Sequence, residues 1–153
     1  MKSVIWFKLP LLLLLLLLTA ACSTQQVRYD VRTLDQVMRD MTGQNGRACF
    51  QTRYISGYGT IDETVLNVST KRPEQYVLLM TYSCPSLLTS SAVLFKGAFT
   101  ELCGGGRDFV STGSSPCPIR SIYEFENRKA ALEAIERAQQ TAREIAAREQ
   151  STP

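Results

Sequence analysis

Residues 76–82 read YVLLMTY, a run closed by Cys84–Pro85. Two aromatics, a valine and two leucines without a charge predict a β-strand buried at the centre of its sheet. Reading outward, Lys71–Arg72–Pro73–Glu74 is a turn signal. Before it, Val65, Leu66 and Val68 form a strand that follows a turn at Asp62–Glu63. Ala48–Ile55 interleaves apolar and polar residues and reads as a first strand, broken by Gly57 and Gly59. Downstream, Ala92–Phe99 is a further strand, and Leu102–Cys103 leads into the Gly104–Gly105–Gly106 loop. Asp108–Ser111 begins another short strand, and Gly113–Ser115 is a turn. Pro118–Phe125 supplies the last strand, with Ile119 in opposite register to Ile122 and Phe125. Five to seven short strands predict a mainly β fold, a small antiparallel barrel or sandwich over residues 47–126. A closed barrel would leave no exposed edge.

The chain has five cysteines and no histidine. Cys49, Cys84, Cys103 and Cys117 lie in the β segment, and an even set in a small exported domain reads as two disulfides. Three connectivities are open. Cys84–Cys103 with Cys49–Cys117 is the preferred one, because the second pair would tie the first strand to the last.

Helices flank the β segment. Residues 33–46 predict a short helix and turn: Leu34, Val37, Met38 and Met41 fall on one stripe. Thr33 and Gln36 have the spacing of a capping box, and Gly43 marks the exit. Nine residues do not hold a helix alone, so the stripe is expected to pack on the main domain. Residues 127–153 predict a long C-terminal helix and tail, rich in Ala, Glu, Arg and Gln, with a thin seam of Leu132, Ile135, Ala142, Ile145 and Ala146. Whether that helix docks or projects is left open by its sequence.

The N-terminus sets the expected address. Lys2 and Lys8, the leucine run 11–18, and Thr19–Ala20–Ala21 before Cys22 have the layout of a secretory signal over residues 1–21. The segment resembles a bacterial lipoprotein signal, which implies that Cys22 becomes the acylated (palmitate-bearing) first residue. Leu9–Ala21 is 13 residues, short of the roughly 20 needed to span a bilayer. Residues 22–32 are polar and read as a lipid-anchored linker. Ser23 in place of an aspartate favours the outer membrane, facing the periplasm, by the same resemblance. Without Lys2 and Lys8 the remaining chain has 15 basic and 14 acidic side chains, net +1, so nucleic-acid binding has no electrostatic support.

Residues 47–125 resemble a family of small proteobacterial lipoproteins catalogued as a domain of unknown function. The matching features are Cys49–Phe50, Ile55 before the turn at Asp62, Cys84–Pro85–Ser86–Leu87, Cys103 before the glycines, and Cys117–Pro118–Ile119. The resemblance implies an envelope protein with a disulfide-linked β domain and transfers no catalytic residue.

No residue pattern favours catalysis. A serine hydrolase needs a base beside its serine, and Lys71, Lys96 and Lys129 stand in no S-x-x-K arrangement. The cysteines lack C-x-x-C spacing and the close pairs of a zinc site. Gly104–Arg107 lacks the features of a phosphate loop. Asp62, Glu63 and Asp108 are turn acids with weak metal potential, and Phe50, Tyr54, Tyr58, Tyr76, Tyr82 and Tyr123 are candidates for an aromatic face. The expectation is therefore a non-enzymatic envelope lipoprotein without cofactor or metal. It would contact the membrane through Cys22 and bind an envelope protein partner as an adaptor. The alternative is a periplasmic ligand- or glycan-binding β module.

Overall fold

In chain order the elements are helix α1 (Val31–Thr42), strand β1 (Cys49–Gln51), a 3-10 turn (Thr52–Tyr54), β2 (Ile55–Asp62), β3 (Val65–Thr70), β4 (Gln75–Met80), the one-turn helix α2 (Ser86–Thr89), β5 (Leu94–Lys96), β6 (Glu101–Cys103), β7 (Phe109–Ser111), β8 (Pro116–Phe125) and helix α3 (Arg128–Ser151). They come from a computed structural model that describes residues 28–97, 99–113 and 115–151. The expected signal segment 1–21, the expected lipidation site Cys22 and the start of the expected linker lie outside the described residues.

Six strands form an antiparallel sheet in the order β2-β3-β4-β8-β7-β5, and β1 and β6 pair as a separate ribbon. The sheet curls into a half-barrel. All six β4 residues are buried, which explains the apolar run 76–80; Thr81 and Tyr82 lie past the strand and are exposed. Tyr76, Leu78 and Met80 point into the barrel core with Phe50, Leu66, Val68, Leu102 and Ile119. Val77 and Leu79 point to the other face, against Leu34 and Met38 of α1 and Ala131 and Ile135 of α3. A strand with a core on each face needs apolar residues in both registers.

The barrel does not close through backbone pairing, since β2 and β5 are the sheet's two edges. Side chains bridge them instead. Tyr58 of β2 meets Phe95 of β5 edge-on at 5.8 Å between ring centres, and its hydroxyl reaches Ser91 O at 3.5 Å.

Several local expectations are corrected. Asp30, not Thr33, caps α1: its side chain accepts a bond from Arg32 N at 2.9 Å. The helix therefore starts at Val31 and Thr33 lies inside its first turn. Aspartate supplies both the cap acceptor and a charge favourable to the helix dipole. Gly43 does end the helix, at φ 69°. Gly57 and Gly59 do not break a strand; β2 runs through both, as an edge strand with two register shifts. The segment read as one strand at Ala48–Ile55 is instead divided by the 3-10 turn at Thr52–Tyr54.

The β8 register has a similar physical reason. Leu79 faces Ser121 and Met80 faces Ile119, which leaves Arg120 as an extra residue. This bulge lets Ile119 and Ile122 enter the same core despite their odd spacing. It also turns Arg120 outward, where its Nε lies 3.1 Å from Asp35 Oδ2.

The cysteines form two disulfides, but not in the preferred pairing. They are Cys49–Cys103 and Cys84–Cys117. Cys49 and Cys103 are direct partners in the β1–β6 ribbon. The expected tie from first strand to last fails because β1 pairs with β6 and has no place beside β8's cysteine end. Cys117 instead pins the start of β8 to the loop after β4.

Helix α3 is docked. Asn127 caps it by accepting from Ala130 N at 3.0 Å. Its buried face is Ala131, Ala134, Ile135, Ala138, Gln139 and Ala142, whereas Leu132 is 38% exposed. Small alanines let the helix approach α1 and the sheet closely, so a seam poor in large side chains still covers a core. No helix among the described residues is long and apolar enough to cross a membrane.

Candidate binding site

Three polar clusters stand out, and they differ in what they leave free. The first is Asp35, on the same α1 face as Leu34 and Met38 and only 4% exposed. Its Oδ1 accepts from Ser121 Oγ at 2.5 Å and Tyr123 Oη at 2.6 Å. Its Oδ2 meets Arg39 at 3.2 Å and Arg120 at 3.1 Å. Burial alone pushes the carboxyl up, but the bonds from Ser121, Tyr123 and Arg39 outweigh it and hold the group below its usual 3.8. Tyr123 is pushed above the ordinary phenol range by burial first and then by Asp35. Every member faces another member, which makes the cluster a clamp between α1 and β8.

The second cluster lines a cleft of about 610 Å³. Asp62 Oδ2 accepts from Tyr29 Oη at 2.8 Å and Gln139 Nε2 at 2.6 Å. Asp62 Oδ1 takes Thr64 N at 2.6 Å and Thr64 Oγ1 at 2.7 Å. Burial, then the bond to Asp62, raises Tyr29 well above the ordinary phenol range. This carboxylate is also saturated, and it ties the end of the linker to α3.

The third is a hollow of about 370 Å³ beside the β1–β6 ribbon, and it is not saturated. Arg53 comes from the 3-10 turn, Arg72 from the β3–β4 turn, and Glu101 from β6. The guanidinium carbons of Arg53 and Arg72 lie 4.8 and 4.9 Å from the Tyr54 ring centre. Gln51 also lines the hollow, and its Oε1 is buried with no donor among the described residues. Cys49 and Cys103 sit at the same place beside Glu101. Their sulfurs are joined in the disulfide, and metals bind thiolates, so the oxidised protein offers only the carboxylate of that trio.

The candidates named from sequence are scattered. Tyr123 faces the helices, and Phe50 and Tyr76 stack in the barrel core at 4.5 Å. Phe50 and Tyr76 also line the third hollow with Tyr54, whereas Tyr58 and Tyr82 reach the surface at separate places, so the six aromatics form no single face. Asp62, Glu63 and Asp108 do not converge: Glu63 bonds Ser83, and buried Asp108 accepts from Cys103 N at 2.7 Å. Gly104–Gly106 packs on β8, with Gly105 N donating to Arg120 O at 2.9 Å and Gly106 N to Ile119 O at 2.7 Å. Those N–H groups serve the fold and are not free for an anion.

Sequence reading missed Asp35, Tyr29, Gln139, and the pairing of Arg53 with Arg72. For Asp35 the only local signal was Arg39 four residues on.

Residues 2–144 match one family model, described as a family of unknown function (DUF6491). The chain belongs to that family. The DUF6491 match extends beyond the 47–125 span of the sequence resemblance, to include α1 and most of α3. That extent agrees with the packing, since both helices cover the second core. Comparisons with curated proteins and with solved structures give no match.

Proposed function

We propose that this DUF6491 protein is a non-enzymatic lipoprotein of the bacterial envelope. It is held at the membrane by lipid on Cys22, most simply at the outer membrane facing the periplasm, and its β domain is a ligand- or glycan-binding module. The observation that carries the binding reading is the hollow at Arg53, Tyr54 and Arg72. Its two cations share one tyrosine ring and have no carboxylate within ion-pair distance among the described residues. The clamp at Asp35 and the latch at Asp62 are saturated and point to structure. The lipid anchor rests on the residues before Cys22 and on the resemblance to lipoprotein signals.

Thermal-shift and calorimetric titration of the full chain in detergent, against soluble envelope glycans and their fragments, tests the binding reading. Saturable binding that Tyr54→Ala removes is the expected result. An unchanged melt with every probe counts against it. Membrane fractionation of Cys22→Ser tests the anchor, and a variant that stays with the membrane refutes it.

A protein-binding adaptor is the second reading, favoured by Phe99. This side chain is fully exposed at φ 67°, between β5 and β6. In-cell crosslinking compares the full chain with Phe99→Ser. A partner lost with Phe99→Ser supports the adaptor.

A further inference from the structure

We infer that the hollow beside the β1–β6 ribbon takes a sugar that carries an acidic group, phosphate or carboxylate. This inference rests on the ligand-binding reading above and names the chemistry of its ligand.

Charge comes first. Arg53 and Arg72 each approach the same tyrosine ring, which keeps the two cations within about 10 Å of each other. At the clamp between α1 and β8 the protein neutralises its converging arginines: Arg39 and Arg120 share Asp35. At the hollow neither guanidinium has such a partner among the described residues. Among the described residues Arg53 donates to the Tyr54 hydroxyl alone, at 3.2 Å. Paired planar donors on a concave surface match the oxygens of a phosphate or carboxylate.

The remaining groups argue against a bare anion. Glu101 lines the same hollow, and its charge opposes a simple ion. Gln51 contributes a buried carbonyl oxygen without a donor. Both are acceptors that suit the hydroxyl groups of a sugar ring. An unpaired buried acceptor is destabilising, so a ligand hydroxyl there has a reason to bind. Tyr54 adds an aromatic surface between the charged groups. The volume of about 370 Å³ lies at the small end of ligand pockets, on the scale of one sugar unit with its acidic group. Two donors for the acid, two acceptors for hydroxyls and an aromatic wall describe a ligand with both functions. An uncharged sugar leaves the arginines idle, and free phosphate leaves the acceptors facing it.

The test is calorimetric titration of the full chain in neutral detergent, disulfides intact, at low salt. The probes are glucose 6-phosphate, glucuronate, glucose, an uncharged glucose oligomer and inorganic phosphate. The expected result is one-to-one binding of the two acidic sugars, weakened at least tenfold by Arg53→Gln and by Arg72→Gln. Both arginines are exposed, so their variants should melt with the parent. Glu101→Gln should tighten inorganic phosphate while loosening the acidic sugars. Phosphate binding as tightly as glucose 6-phosphate would overturn the sugar part. If only uncharged sugars bind, and Tyr54→Ala abolishes that, the acidic-ligand inference fails while the binding reading stands. If no probe binds, both fail.

Discussion

Replacing Asp35 by alanine removes the acceptor at the centre of the clamp between α1 and β8. Ser121 and Tyr123 are both fully buried, and each directs its hydroxyl at Asp35 Oδ1. Charge-assisted hydrogen bonds of this kind contribute about 1.5–3 kcal/mol each. The arginine contacts add less, because the Arg39 and Arg120 side chains are 36% and 32% exposed and solvent screens them. Contributions within one network do not add, and breaking a buried charged cluster typically costs about 3–5 kcal/mol. For a domain of this size that is a fall of about 10–20 °C in melting temperature. Urea unfolding of the disulfide-intact protein at pH 7 measures it, with Asp35→Asn as the volume-matched control and Tyr123→Phe as the partial deletion. Tyr123→Phe should cost about half as much. The network also sets a pH dependence. Asp35 is depressed when folded, so its contribution is present above the unfolded value near 3.8 and is lost as pH falls through the lower folded value. Tyr123→Phe should therefore move the acid-unfolding midpoint upward. An Asp35→Ala protein within about 1 kcal/mol of the parent at pH 7, with an unchanged acid midpoint, would refute the clamp.

Three further outcomes are expected. Non-reducing peptide mapping should recover Cys49–Cys103 and Cys84–Cys117, and replacing either pair by serines should cost about 2–4 kcal/mol by loosening constraints on the unfolded chain. A Cβ on Gly104 would lie 1.9 Å from Gly46 O, so Gly104→Ala should destabilise sharply in thermal melts, whereas Gly106→Ser, with open space but φ 84°, should cost less. Ala138 is fully buried where α3 meets the second core, so Ala138→Leu should cost about 1–3 kcal/mol by overpacking, while Leu132→Ala on the exposed side should cost little.

The secondary structure was legible wherever one local cause dominated. The apolar run from Tyr76, the Lys71–Glu74 turn and the Gly43 exit each depend on neighbours a few residues away; the turn and the exit stand where read, and the strand ends at Met80, two residues short of Tyr82. The β1 boundary and the course of β2 were not legible. Glycines in an edge strand are tolerated when register shifts absorb them, and that depends on the partner strand. Asp35 read as a polar residue beside an apolar stripe. Its partners Ser121 and Tyr123 lie 86 and 88 residues away, so no window of sequence contains the cluster. The hollow is similar: Arg53 and Arg72 meet only because β2 and β3 pair as a hairpin, with Ile55 opposite Thr70.

By itself the sequence determined the mainly β class, the flanking helices, the even cysteine set in the β segment and the absence of histidine chemistry, because composition and short-range periodicity carry those features. Only the tertiary structure decided which cysteines pair, that α3 docks through alanines, and that β8 bulges at Arg120. Each of those depends on the distance between segments far apart in the chain. That distance is set by how the sheet curls and which face each helix covers, and local sequence does not encode it.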